Sequence, residues 1–217
     1  WGGGEPTIGK EFDRLFPIVN TKFSPRTQRV FTNALKHSVA LQEALDNKLT
    51  SITTSIDAGS EETFRKVRGA KRLDKVLSNL KLYSSTNPDL VTIKYIFTND
   101  NYQLKELENF VAKIIEHDLV KCNYLISSDF KTEYLNDKKV ISLMILNWLL
   151  YKKRILAVTF DDHVYKRVNE IGSKYLNISA RVDIPEDYFK IVEDIKEALK
   201  FHSDKEIIVW GIGEFSK

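Results

Sequence analysis

The sequence predicts an α/β protein with parallel strands, and three observations carry that prediction. Runs rich in β-branched residues alternate with stretches of helical periodicity through the first 160 residues. Each run is followed by a stretch long enough to be a crossover helix, which parallel neighbours need. The places where the runs end, residues 2–6, 32–33, 55–57, 94–99 and 127–129, are polar out of proportion to their surroundings. In parallel α/β architectures ligands sit at the C-terminal ends of the strands, so these segments are the candidate site.

Taken in order, residues 29–33 (Arg-Val-Phe-Thr-Asn) are a short β-rich run, and residues 39–47 read as a helix. Residues 49–57 are dense in β-branched side chains and close on Ala58-Gly59, a strand and then a turn. Ser60 is placed to cap the next helix, with Glu61, Glu62 and Thr63 in a first turn where acidic groups suit the helix dipole. That helix carries Phe64 and Val67, and a second amphipathic stretch carries Leu73, Val76, Leu77 and Leu80. Asn87-Pro88-Asp89 is a turn, and residues 90–97 are the next strand, with Lys94 in its middle. Leu104, Leu107, Val111, Ile114 and Ile115 give one face of a helix that runs toward Asp118. Residues 121–127 are strand again and residues 138–153 helix. The pattern βαβαβαβα fits either a barrel or an open doubly wound sheet, and periodicity does not separate the two.

Beyond Phe160 the alternation weakens. A helix is expected around residues 163–175, and another over 185–201, periodic in Tyr188, Ile191, Ile195 and Leu199. Residues 205–215 read as a buried strand leading into Gly211-Ile212-Gly213, the opening of a Rossmann-like βαβ unit.

Composition narrows the function. A chain of 217 residues, 42% hydrophobic and 29% charged, is expected to be soluble and globular. The net charge of +3, from 33 basic and 30 acidic residues, argues against a nucleic acid or a membrane surface as partner. The most apolar window, residues 140–150, contains Ser142 and Asn147 and runs into Tyr151-Lys152-Lys153-Arg154. It falls short of the roughly 18–20 apolar residues that cross a bilayer, and reads as a buried helix. One cysteine, Cys122, excludes an internal disulfide and a multi-cysteine metal site within the chain, and fits a cytoplasmic setting. No signal peptide follows Trp1, and both ends read as breaks in a longer reading frame.

Trp1-Gly2-Gly3-Gly4-Glu5-Pro6, Thr32-Asn33, and Ser55-Ile56-Asp57-Ala58-Gly59-Ser60-Glu61-Glu62-Thr63-Phe64 with its continuation Lys66-Val67-Arg68-Gly69 occur in one order over residues 1–130. In this the sequence resembles the radical S-adenosylmethionine (SAM) superfamily, whose second, third and fourth barrel strands end in such segments. The resemblance implies a partial (β/α)6-type barrel over residues 1–160, a helical extension over 161–204, and the start of a Rossmann-like domain over 205–217. It implies that Gly3, Gly4 and Glu5 meet the methionyl amino group, glycine letting the backbone approach closely, with Pro6 among the cofactor-binding residues. It assigns Thr32 and Asn33 to the same cofactor, although the chain has Ala34 where the family often has glycine. Ser55 and Asp57, two apart on a strand and so expected on one face, are assigned to the ribose or carboxylate of SAM. Lys94 is expected to point into the lumen toward substrate, with Asn99 nearby.

The family holds SAM against a [4Fe–4S] cluster, and one electron cleaves it to an adenosyl radical that takes hydrogen from a substrate. The Cys-x-x-x-Cys-x-x-Cys loop is expected upstream of Trp1, so the chain alone is expected to be inactive. A barrel lacking its first strand is expected to aggregate or to need a partner. The implied partners are a small-molecule substrate, for which a nucleotide- or sugar-linked compound is one candidate, and an electron donor such as flavodoxin or ferredoxin. Two rivals remain: a cluster-free SAM- or nucleotide-binding α/β module, and a different barrel enzyme using Lys94 and Asp57 as general acid and base.

Overall fold

A computed structural model describes residues 4–129, 135–159 and 162–176. Five strands, β1 (Arg29–Phe31), β2 (Ser51–Ser55), β3 (Val91–Phe97), β4 (Asn123–Ser128) and β5 (Ala157–Val158), make one parallel sheet in the order β1-β2-β3-β4-β5. A doubly wound sheet reverses its order at a switch point; these five strands do not reverse. The order follows from the connections, since every pair of neighbours is joined by helix: α2 (Val39–Asp46), α3 (Glu61–Arg68) with α4 (Leu73–Tyr83), α5 (Leu104–Glu116) and α6 (Asp137–Lys152). Before them lies α1 (Lys10–Phe23) and after them α7 (Asp162–Leu176).

Local chemistry fixes the helix starts. The hydroxyls of Ser38 and Ser60 accept from Leu41 and Thr63 N–H at 3.2 Å, and the Asn136 side chain accepts from Lys139 N–H at 3.0 Å. Gly69, at φ +76°, ends α3 in the left-handed conformation that glycine adopts without penalty. Helix α1 was not legible in the sequence: Pro17 stands in its interior, and Phe12 and Phe16, stacked at 4.7 Å, are its only buried residues.

The hydrophobic core lies on one side of the sheet. By register Val30, Ile52, Ile93, Tyr95, Phe97, Tyr124, Ile126 and Ala157 share a face, and all of them lie in one core with the helices. The opposite face carries Phe31, Thr53, Ser55, Thr92, Lys94, Ile96, Leu125, Ser127 and Val158, and none of its apolar members joins that core. Phe31 and Val158 keep 52% and 45% of their surface exposed. The interior of α6 is apolar on nearly every side because α5 and α7 flank it. Val164, Val168 and Ile171 of α7 enter the same core, and the Arg167 guanidinium reaches Asp137 and the Leu135 carbonyl. No described helix is long and apolar enough to cross a membrane. The helix expected over 185–201 and the Rossmann-like start at 205–217 lie outside the described residues.

Cys122, just ahead of β4, is buried, and burial pushes its thiol up to about 12. The thiolate is the reactive form, so at pH 8 the native protein is expected to resist iodoacetamide over hours and to be alkylated promptly in denaturant; mass spectrometry of the two samples checks this.

Candidate functional site

The strand ends predicted as a site are polar in the folded protein, and three groups of residues form there. The first joins segments 27 residues apart. The Glu5 Oε1 accepts from the Thr32 hydroxyl at 2.7 Å, the Thr7 N–H at 3.2 Å and the Thr7 hydroxyl at 2.6 Å, and Oε2 accepts from Asn33 N–H. Oε1 is thereby saturated, whereas Oε2 receives a single donor and keeps a lone pair. The chain leaves β1 through Ala34, at φ +54° and fully buried. Its N–H donates to the Thr32 hydroxyl at 3.0 Å and its carbonyl accepts from Asn79 of α4 at 2.7 Å. These bonds hold an L-residue in the left-handed conformation, where glycine would sit without strain.

The second group surrounds Asp57. Strand geometry ends at Ser55, and Asp57 stands at φ +54°, two residues beyond the strand on which the two were expected to share a face. Asp57 is turned inward and only 1% exposed. Its Oδ1 accepts from Ile96 N–H on β3 at 2.6 Å, and its Oδ2 is paired with the Arg68 guanidinium from the last turn of α3. Its carbonyl accepts from Asn101, whose amide also meets the Ile96 carbonyl. A charge this deep needs a partner with directed hydrogen bonds, and Arg68 supplies it. Ser55 stays half-buried beside it, level with Lys94 on the neighbouring strand.

Third is a clamp on the following turn. Glu106 of α5 accepts from Ser60 N–H at 2.8 Å, from Gly59 N–H, and from the Ser60 hydroxyl at 3.0 Å. Gly59 is required here, because a Cβ would fall 2.1 Å from the Glu106 carbonyl and 2.4 Å from the Phe110 nitrogen.

Lys94 lies on the half-exposed face. Burial, reinforced by the Arg68 charge, holds its ammonium below its ordinary value. Gly4 is exposed at φ +138°, a conformation open to glycine, and Pro6 opens a short 3-10 turn over Pro6–Ile8. Gly3 lies outside the described residues. Asn99 occupies an exposed turn and is not drawn into any of the three groups. Sequence reasoning gave no site role to Arg68, Asn101 or Glu106. For Arg68 the signal was its place in the quoted Lys66-Val67-Arg68-Gly69 run; for the other two there was none. Among the described residues no three His, Cys, Asp or Glu side chains stand where they could hold a metal ion. No protein-family model matches the chain, and no curated protein matches it.

Two substitutions read the electrostatics of this region. Arg68→Ala strands the Asp57 carboxylate and is expected to destabilise the fold by about 3 kcal/mol in urea titrations. Lys94→Met acts oppositely. The folded state holds the Lys94 proton less tightly than the unfolded chain, so its cost is full below the folded pKa and vanishes above the ordinary value of 10.5. Lys94→Met is therefore expected to melt higher than the wild type at pH 7, with the gap closing toward pH 10.5; a lower melting temperature at pH 7 contradicts this.

Proposed function

We propose that the chain supplies the SAM-binding strand ends of a radical SAM enzyme, on a partial barrel. One observation carries the reading: Glu5, from the Gly-Gly-Glu-Pro segment, is bonded to both Thr32 and Asn33 at the end of β1. Two motifs that the resemblance assigns to one cofactor thus meet through hydrogen bonds that neither motif implies by itself. The sheet is consistent with a barrel wall, because its parallel strands follow one another in sequential order. On this reading β1 to β4 take the places of the third to sixth barrel strands, and the two-residue β5 extends the wall.

The residues present suit SAM. Glu5 Oε2 has a lone pair for an ammonium group, the Gly4 backbone is open to approach, and Ser55 offers a hydroxyl to ribose. Arg68, held by Asp57 and still 32% exposed, can accept a carboxylate on its free edge. Asp57 then serves by fixing Arg68 rather than by touching the cofactor. The chain's single cysteine leaves the three thiolates of a [4Fe–4S] cluster to be supplied from outside these 217 residues. Bound, cofactor and cluster supply the one-electron cleavage that starts the chemistry; these side chains orient SAM and exclude water.

The test is calorimetry with SAM and with adenosine on the folded chain. SAM is expected to bind about tenfold more tightly, since Glu5 and Arg68 meet groups that adenosine lacks. Glu5→Gln is expected to remove about that factor for SAM and nothing for adenosine. Equal affinities would favour the cluster-free nucleotide-binding module instead, and binding of neither would end both readings.

A further inference from the structure

The side of the sheet away from the core is organised in rows across the strands. Ser55, Lys94, Leu125 and Val158 are level with one another, and Ile96 with Ser127 forms the next row toward the C-terminal ends. Within these rows Lys94 is the one ionisable group, and its charge is not answered locally. No carboxylate acts on it among the described residues; the one charge that does is Arg68, another cation. Arg68 is already paired with Asp57, whose second oxygen is occupied by the Ile96 N–H. The cluster therefore holds two cations against one carboxylate. One row away, Ser127 is 6% exposed and its hydroxyl has no hydrogen-bond partner. A buried hydroxyl without a partner is destabilising, and a half-buried lysine without a counter-ion is also unfavourable. Both costs fall on the same face, at adjacent levels, beside the strand ends.

Such a pair is complete only with an anion. An ammonium offers up to three donors and a hydroxyl one, so a carboxylate or phosphate between β3 and β4 would satisfy both at once. The neighbours Ile96, Leu125 and Val158 would pack on the apolar remainder of the same molecule. Resting on the proposal that these strand ends form the reaction centre, we infer that Lys94 and Ser127 anchor an anionic group, carboxylate or phosphate, of the substrate. The substrate is thereby an organic acid or phosphoester with an apolar portion beside its charge. SAM carries a carboxylate too, and the experiment has to tell the two sources apart.

Inorganic phosphate is the probe, titrated into the 217-residue chain and followed by 15N-resolved shifts of the β3 and β4 amides. Millimolar binding is expected, weakened about tenfold or more in Lys94→Gln and several-fold in Ser127→Ala, with both variants melting cooperatively near the wild type. Phosphate binding that survives Lys94→Gln, or no binding by the folded wild type, overturns the inference. SAM is then added at saturating phosphate. Independent binding of both upholds a substrate site. One-for-one displacement of phosphate assigns the anchor to the cofactor's carboxylate and overturns the substrate assignment. If SAM fails to bind while phosphate still depends on Lys94, the anion anchor stands and the SAM proposal alone falls.

Discussion

The buried Asp57 carboxylate is the constraint on which the strand-end region depends. It satisfies an N–H of β3, neutralises an arginine of α3 and, through its carbonyl, holds the Asn101 turn. The end of β2 is thereby tied to β3, α3 and the Asn101 turn at a single residue. Its left-handed backbone sends the chain back over the sheet so that Gly59 presses on α5 and Glu106 can cap the turn. An apolar residue at this position could fill the volume, but it would leave the Ile96 N–H and the Arg68 charge without partners.

The two sides of the sheet are built on opposite physics. Beneath the helices, Tyr95 meets Phe97 and Phe110 at ring separations of 5.1 and 4.8 Å, and its hydroxyl is answered by the Asn101 carbonyl at 2.6 Å. The Thr54 hydroxyl on this same side is buried without a partner. The other side keeps a half-buried lysine and an unanswered serine hydroxyl. A parallel sheet is ordinarily packed on both faces; among the described residues the apolar members of this side stay outside the core.

Most of the fold was legible because each strand and its following helix announce themselves locally. Residues 49–57 and 90–97 are dense in β-branched and aromatic side chains, and Ser60 with Glu61 and Glu62 is a helix start that the structure reproduces. Elements with thin signals escaped: α1 behind Pro17, and β5, which is two residues long. Individual strand-end positions were legible, but their partnerships were not. Ser55 and Asp57 read as neighbours on one face because alternation was assumed to continue past β2, whereas the strand ends at Ser55 and Asp57 adopts a left-handed backbone. Glu5 could be nominated from its motif, yet its bonds to Thr32 and Asn33 exist only once β1 is folded beside it. Arg68 carried no site role in the sequence because its pairing with Asp57 exists only in the folded chain.

The sequential strand order also bears on how the chain comes to be folded. Register partners are never far apart: Arg29 and Ser51 are separated by 22 residues, Ile52 and Val91 by 39, Thr92 and Asn123 by 31, and Tyr124 and Ala157 by 33. No strand waits for a distant segment, so loop closure at each step is short and of similar cost. A chain emerging from the ribosome can add one strand and its helix at a time to a growing edge, each addition templated by its predecessor. The knot at Asp57 cannot close until β3 has appeared, which makes the strand-end region a late product of an otherwise progressive assembly.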